Sequence, residues 1–256
     1  MTAVTPNFMI DAWNEVYAKF ADKGRTDWEK LNLCDLGRFI DICGLNLHNV
    51  YRVLDIGCGR AVRLLLAVLG NPDLNRRGVE IVGIDVSAKA VDFATRIVAN
   101  LQQDANYPEE FLDDFSRYLA AEGRPLLNCN MKFKKADILE YSTRNAGCAY
   151  ELVIDWMCYH EVYLGGIDRY PEIVASLCSK VFILNVFSAE GNPPEPLPMA
   201  VRHVPKHVLS ELDIRERFSR YFDLVHHQQF ERNETPTLRH DDGAIAAKRA
   251  YLLVRK

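Results

Sequence analysis

The sequence predicts an α/β fold built on a mostly parallel sheet, with helices on both faces and an antiparallel pair at the end of the chain. Three features carry this expectation. From residue 51 onward, apolar runs of strand length alternate with helically spaced segments, the order a parallel sheet requires. The first run breaks into the glycine turn Asp55-Ile56-Gly57-Cys58-Gly59-Arg60-Ala61, where the backbone reverses tightly and a helix opens. The last two runs have no helix between them, and strands joined without a crossover pair antiparallel.

Ahead of the sheet, Phe8, Trp13, Val16, Tyr17 and Phe20 recur near the helical period, so 1–50 reads as a helical lead-in or cap. The first strand covers 51–55 and the second 79–85. Ser87 is a good N-cap for the helix that follows, which runs through Ala90, Val91, Ala94, Ile97, Val98 and Leu101. Segment 100–130 is longer than one helix and a turn require. Within it, 108–121 reads as an extra helix with Phe111, Leu112, Phe115, Tyr118 and Leu119 on one side. The third strand lies at about 132–138 and the fourth at 151–156; a helix follows at 170–177. The fifth strand, 181–187, is strongly apolar. A helix at 208–221 carries Leu209, Leu212, Ile214 and Phe218 on one stripe, and 222–230 and 247–254 are the terminal strand pair. The whole, 1–256, reads as one domain with its sheet core in 51–256.

Composition narrows the function classes. The chain has 256 residues and a formal net charge of −4, with no basic run of the kind a nucleic-acid binder shows. Its densest basic cluster, Lys132, Lys134 and Lys135, reads as a solvated strand edge. No apolar stretch is long enough to span a bilayer, and 1–10 lacks the basic start and apolar centre of a signal peptide. The seven cysteines occur singly, which argues for reduced thiols in a cytoplasm rather than a zinc or disulfide framework.

The glycine turn separates two cofactor classes. A dinucleotide fold wants a third glycine for close helix–strand packing, and that position here is Val62. Asp55-x-Gly57-x-Gly59 instead resembles motif I of the class I S-adenosylmethionine-dependent methyltransferases. The order of elements is similar to the Rossmann-like fold of that superfamily, a seven-stranded mostly parallel sheet with an antiparallel last strand. Trp13-Asn14-Glu15-Val16-Tyr17, followed by Trp28, resembles the lead-in of small-molecule members of the thiopurine and tellurite-resistance type. In that group the segment lies over the cofactor and helps close the site; the alternative is a leading helix packed on the sheet.

The resemblance implies S-adenosyl-L-methionine as cofactor. It implies that Asp55, Gly57, Cys58 and Gly59 hold the methionine end, with Cys58 packing as a small residue. Arg60 either pairs with the cofactor carboxylate or lies on the surface. Asp85 ends the second strand, where a carboxylate can accept from both ribose hydroxyls, or cap the helix at Ser87. Ile84 or Val86 supplies an apolar wall for the adenine. Asp137 accepts from the adenine amino group, or is a solvated strand-end carboxylate, and the Ile138 amide donates to the ring. Trp28, Asp155 and Trp156 complete the cofactor set.

Chemistry is expected just past the fourth strand, in Asp155-Trp156-Met157-Cys158-Tyr159-His160-Glu161. His160 is the candidate general base, because an imidazole titrates near neutral pH; the other reading is a histidine bonded to backbone. Asp155 lines the cofactor or orients substrate. Trp13, Tyr17, Tyr159, Tyr163 and His203 are candidates for the acceptor side, although Tyr159 and Trp156 read equally well as core. Asn192-Pro193-Pro194-Glu195 looks like the amide- and adenine-methylating motif but follows the wrong strand, so it reads as a rigid turn. No metal is expected: Pro205 breaks the helical spacing of His203 and His207, and His226 and His227 point to opposite strand faces.

The reading is therefore in-line methyl transfer to an oxygen, nitrogen or sulfur atom of a small molecule, by a cytoplasmic enzyme. Holding the reactants in line can be worth about 7–11 kcal/mol without a strong base. The partners this allows are the acceptor and a second copy in a homodimer, with no membrane and net acidity against nucleic acid. The rival readings are a cofactor-binding regulator without transfer activity and a protein or RNA methyltransferase.

Overall fold

The computed structural model describes residues 7–21, 33–104, 126–145, 147–159, 168–189, 209–230 and 246–256. It divides into two compact units, Ile10–Ala136 and Met1–Met9 with Asp137–Lys256.

The first unit holds α1 (Asn7–Ala21) from Ile10 onward, α2 (Asp35–Ile42), β1 (Arg52–Ile56), α3 (Val62–Leu69), β2 (Glu80–Asp85), α4 (Ala88–Asp104) and β3 (Asn130–Lys135). β1 pairs with β2 and β2 with β3, both parallel, with Val53 opposite Ile81 and Ile81 opposite Met131. Val53, Leu54, Ile56, Ile81, Val82 and Ile84 are all buried. Such near-continuous apolar runs are what parallel strands covered on both faces require. β3 ends this side of the sheet, and Lys132, Lys134 and Lys135 on it are exposed. Lys132 Nζ reaches Glu80 on β2 at 3.0 Å, so these lysines form the expected solvated edge, which also discourages edge-to-edge pairing. On α1, Met9 and Tyr17 are buried while Phe8 is 64% exposed, so the apolar stripe is narrower than its sequence spacing suggests.

The second unit contains α5 (Ile138–Arg144), β4 (Tyr150–Trp156), α6 (Tyr170–Leu177), β5 (Cys178–Ala189), α7 (Glu211–Phe218), β6 (Phe222–Gln229) and β7 (Ala246–Arg255). β4 and β5 are parallel, and β7 runs antiparallel to both β5 and β6. The complete order is β3-β2-β1-β4-β5-β7-β6, a seven-stranded sheet in which β7 is the reversed strand. One face of this unit carries an aromatic core. Tyr159 stacks on Tyr170 at 4.6 Å and meets Phe218 edge-on at 5.6 Å, and Phe218 lies 5.7 Å from Phe182 and 6.2 Å from Phe222. Pro171 sits in the first turn of α6, where its missing N–H costs nothing. Ser210 and Asp213 form a reciprocal capping box that starts α7.

Several boundaries differ from the sequence expectation. The third strand stops at Lys135, and a short helix, α5, follows because Asp137 accepts from the Leu139 amide and caps it. Tyr51 precedes β1 and is exposed, with the Arg76 guanidinium 5.0 Å from its ring. Leu212 faces solvent, since α7 is only eight residues long and buries Ile214 and Phe218 alone. The expected helix at 108–121 lies outside the described residues. None of the seven cysteines forms a disulfide, and no described helix is long and apolar enough to cross a membrane.

Candidate functional site

In the first unit the glycine turn leaves β1 through alternating left-handed residues, Gly57 (φ 67°), Gly59 (φ 54°) and Ala61 (φ 60°). Only glycine takes this conformation without cost, so the backbone path favours the two glycines, while Ala61 bears the strain. The turn is fastened to the end of β2. Cys58 N–H donates to the Ile84 carbonyl at 3.0 Å, and Gly59 N–H donates to Asp85 Oδ2 at 2.9 Å. Asp85 Oδ1 accepts from the Ser87 amide at 2.8 Å. One buried carboxylate thus ties the glycine turn to the start of α4. It therefore does cap the helix start, and it still has lone pairs beyond the two these amides use. Burial pushes its pKa up from 3.8 to about 6, against the pull of the two amides.

Asp55 is buried within β1. Arg60 is also buried, at 5% exposure, with its guanidinium 5.4 Å from the Phe93 ring centroid; the surface alternative for this side chain is therefore excluded. Burial, with the Asp85 and Asp55 charges, pushes the Cys58 thiol well above the ordinary range, so it stays protonated and is no nucleophile. Val86 is half-buried. Gly83 has its own steric reason: a Cβ there would lie 2.6 Å from the Phe133 ring and 3.0 Å from Cys58 Cβ.

Helix α1 reaches this turn. The Tyr17 hydroxyl would stand 2.6 Å from a Cβ placed on Gly59, and the Ser87 hydroxyl donates to the Asn14 side-chain oxygen at 2.9 Å. Ser87 Oγ also accepts from the Ala90 amide at 3.2 Å, as the expected N-cap of α4. Trp13 lies 6.2 Å from Tyr17, ring to ring. The lead-in helix therefore packs on the glycine turn and the β2 end. Asn14 and Tyr17 make those contacts.

In the second unit Asp137 is the N-cap described above, with Ile138 buried behind it. Asp155 is completely buried at the end of β4. Its Oδ1 accepts from the Cys158 amide at 2.7 Å and the Tyr159 amide at 3.1 Å, and its Oδ2 accepts from the Tyr170 hydroxyl. Burial pushes its pKa up to about 7. The carboxylate thus holds the turn after β4, in which Met157 takes a left-handed φ of 78°. Tyr159, expected on the acceptor side, is buried in the aromatic core between Tyr170 and Phe218. Trp156 is buried and meets Phe230 edge-on at 5.8 Å. Trp28, His160, Tyr163, His203 and Asn192-Pro193-Pro194-Glu195 lie outside the described residues.

One polar residue escaped the sequence reading. Asn185 stands inside the apolar strand β5 and is completely buried, and neither its Oδ1 nor its Nδ2 has a hydrogen-bond partner among the described residues. The signal was present: a single amide interrupts Val181-Phe182-Ile183-Leu184-Asn185-Val186-Phe187.

No family model matches the chain, and no curated protein sequence does. Solved structures do. The chain is similar to the magnesium protoporphyrin IX methyltransferase of Synechocystis with bound S-adenosylmethionine, at 17% identity and TM-score 0.53, over 98% of this chain and 92% of that one. It is similar to the 1,6-didemethyltoxoflavin-N1-methyltransferase of Burkholderia thailandensis, at 13% identity and TM-score 0.58, over 100% and 92%. A third similar structure is a putative S-adenosylmethionine-dependent methyltransferase of Listeria monocytogenes, at 14% identity and TM-score 0.50, over 87% and 99%. These likenesses agree with the strand order, and the fold of this chain is the Rossmann-like, seven-stranded fold seen in solved S-adenosylmethionine-dependent methyltransferases.

Proposed function

We propose that this chain is an enzyme that transfers a methyl group from S-adenosylmethionine to a small-molecule acceptor. The observation that carries the reading is the Asp85 carboxylate, buried at the ligand end of β2 and joined to the amides of Gly59 and Ser87. Two vicinal ribose hydroxyls match its remaining lone pairs. The buried Arg60 guanidinium matches the cofactor carboxylate, beside Asp55 and the Gly57-Cys58-Gly59 turn. Val86 is assigned to the adenine wall, and Asp137 and the Ile138 amide to the adenine edge. Gly59 lets the Tyr17 hydroxyl of α1 pack directly on the turn, because any larger residue there meets it.

When bound, the cofactor supplies an activated methyl group on a sulfonium. The chain's part is to bind, orient and exclude water. Trp13 and Tyr17 are assigned to closing the site and Tyr163 and His203 to the acceptor side. His160 takes the proton if the acceptor atom is a hydroxyl oxygen. Asp155 is assigned to positioning, because its oxygens are engaged in holding the turn that leads to His160. Two similar solved structures are of enzymes named for small-molecule acceptors, which supports that class here. The seven cysteines, none of them in a disulfide, support a reducing, cytoplasmic setting.

The test is transfer of labelled methyl from S-adenosylmethionine to a fractionated cell extract. Label in the low-molecular-weight fraction supports the reading. Label in protein or RNA instead makes the acceptor macromolecular, and cofactor binding with no label in any fraction makes the chain a binding protein.

A further inference from the structure

The second unit carries a feature that its own packing leaves unexplained. Residues directly paired across neighbouring strands share a face. Trp156 pairs with Asn185, Asn185 with Ala250, and Ala250 with Gln228, so these four form one row across β4, β5, β7 and β6. The row next to it is apolar through Ile154, Ile183 and Leu252 and ends on β6 at His226, whose Nε2 is buried. The polar row lies toward the carboxyl ends of β4 and β5, the end of an open α/β sheet where ligands bind.

Asn185 is completely buried and both polar atoms of its amide lack a partner among the described residues; the Gln228 Oε1 in the same row is buried and also lacks one. A buried amide without partners is costly, and each one in a native structure calls for an explanation, a polar ligand among them. The surroundings describe what would satisfy it. β4 and β6 are three strand spacings apart, about 14 Å. Yet the Trp156 and Phe230 rings lie only 5.8 Å apart, so both lean inward over β5 and β7. Ala250, between the two amides, contributes the smallest side chain in the row.

We propose that Asn185 is the recognition group for the methyl acceptor, and that the acceptor is a neutral, flat ring system bearing a lactam-type edge. An asparagine side chain presents one carbonyl and one NH2 side by side, and the complement is an adjacent N–H and C=O on the ligand. The two rings, set edge to face, supply apolar aromatic surface against which a flat ring can pack. A charged acceptor is disfavoured, because a neutral amide in a desolvated row cannot compensate a charge. Gln228 Oε1 takes a second donor from a larger ligand. This inference rests on the methyltransferase reading and gives it a substrate class.

The test has two arms. The first needs no ligand. Asn185→Leu is nearly isosteric and removes both orphaned atoms, so its thermal midpoint is unchanged or higher; replacing unsatisfied polar groups by apolar ones of the same shape is neutral or stabilising. A clearly lowered midpoint means that the amide has structural partners, and overturns the proposal. The second arm titrates three bicyclic probes into the wild-type chain saturated with S-adenosylhomocysteine. These are 2-quinolone, N-methyl-2-quinolone, which lacks the N–H, and quinoline, which lacks the lactam. Wild type is expected to favour 2-quinolone over both by about tenfold or more, and Asn185→Leu to lose that preference while its S-adenosylhomocysteine affinity stays within about twofold. Equal binding of the three probes, or no binding of any, overturns the lactam assignment alone. Failure of S-adenosylhomocysteine itself to bind removes the functional reading beneath it.

Discussion

The contact between α1 and the glycine turn can be tested by a double-mutant cycle on Gly59 and Tyr17. Gly59→Ala places a side chain at φ 54°, where an L-residue pays about 1–2 kcal/mol. Its Cβ would also stand 2.6 Å from the Tyr17 hydroxyl oxygen, an overlap in a buried site that costs about 1–3 kcal/mol. Tyr17→Phe deletes that oxygen, and the next ring atom lies at 3.6 Å, an ordinary contact. The substitution at Gly59 is therefore expected to cost about 2–5 kcal/mol in the native background and about 1–2 kcal/mol beside Phe at position 17. The coupling is the difference, about 1–3 kcal/mol, well outside the additivity of independent sites. Urea denaturation of the four variants measures it. Equal cost of Gly59→Ala in both backgrounds would refute the packing of α1 on the turn.

The remaining expectations are simpler. Gly83→Ala, forced against Phe133 and Cys58, is expected to lower stability by about 1–3 kcal/mol in urea denaturation. Ser210→Ala removes the capping box of α7 and should cost about 0.5–2 kcal/mol by the same measurement. Asp155, raised from 3.8 to about 7, gives stability that is full below about pH 3.8 and lost as pH rises through 7. Asp155→Asn keeps an acceptor for the Cys158 and Tyr159 amides and abolishes this titration. Relative to wild type it should gain stability between pH 4 and pH 8, by up to about 4 kcal/mol; a difference independent of pH would count against the buried charge. Asp85, raised to about 6, loses its negative charge below that pH, so affinity for S-adenosylmethionine should fall on acidification from about pH 7.5 to about pH 5.5, measured by calorimetry.

Much of the fold was legible because its signals are local. Buried parallel strands announce themselves as apolar runs such as Val53-Leu54 and Ile81-Val82, and the strand pair without a helix between announced the reversed β7. Legibility failed where local signals compete. Asp137 looked like a strand end, but its β-region backbone and short carboxylate are also what an N-cap needs, and that arrangement won. Leu212 matched an apolar period that a two-turn helix cannot bury. The glycine turn and Asp85 could be read because backbone geometry and strand ends constrain residue type. The engagement of Asp155 with Tyr170, fifteen positions away, could not, since no spacing rule links a strand end to the next helix. Asn185 was visible as a polar residue in an apolar strand, but its lack of partners is a property of packing, which only coordinates reveal.

Calorimetric titration of S-adenosylmethionine and S-adenosylhomocysteine into the wild-type chain and Asp85→Ala decides whether the glycine turn and the β2 carboxylate hold this cofactor. One site per chain is expected for both ligands in wild type. Affinity is expected to fall by at least about tenfold in Asp85→Ala, whose folded state is confirmed by circular dichroism. Absence of binding by well-folded wild type, or binding indifferent to Asp85, would contradict the assignment.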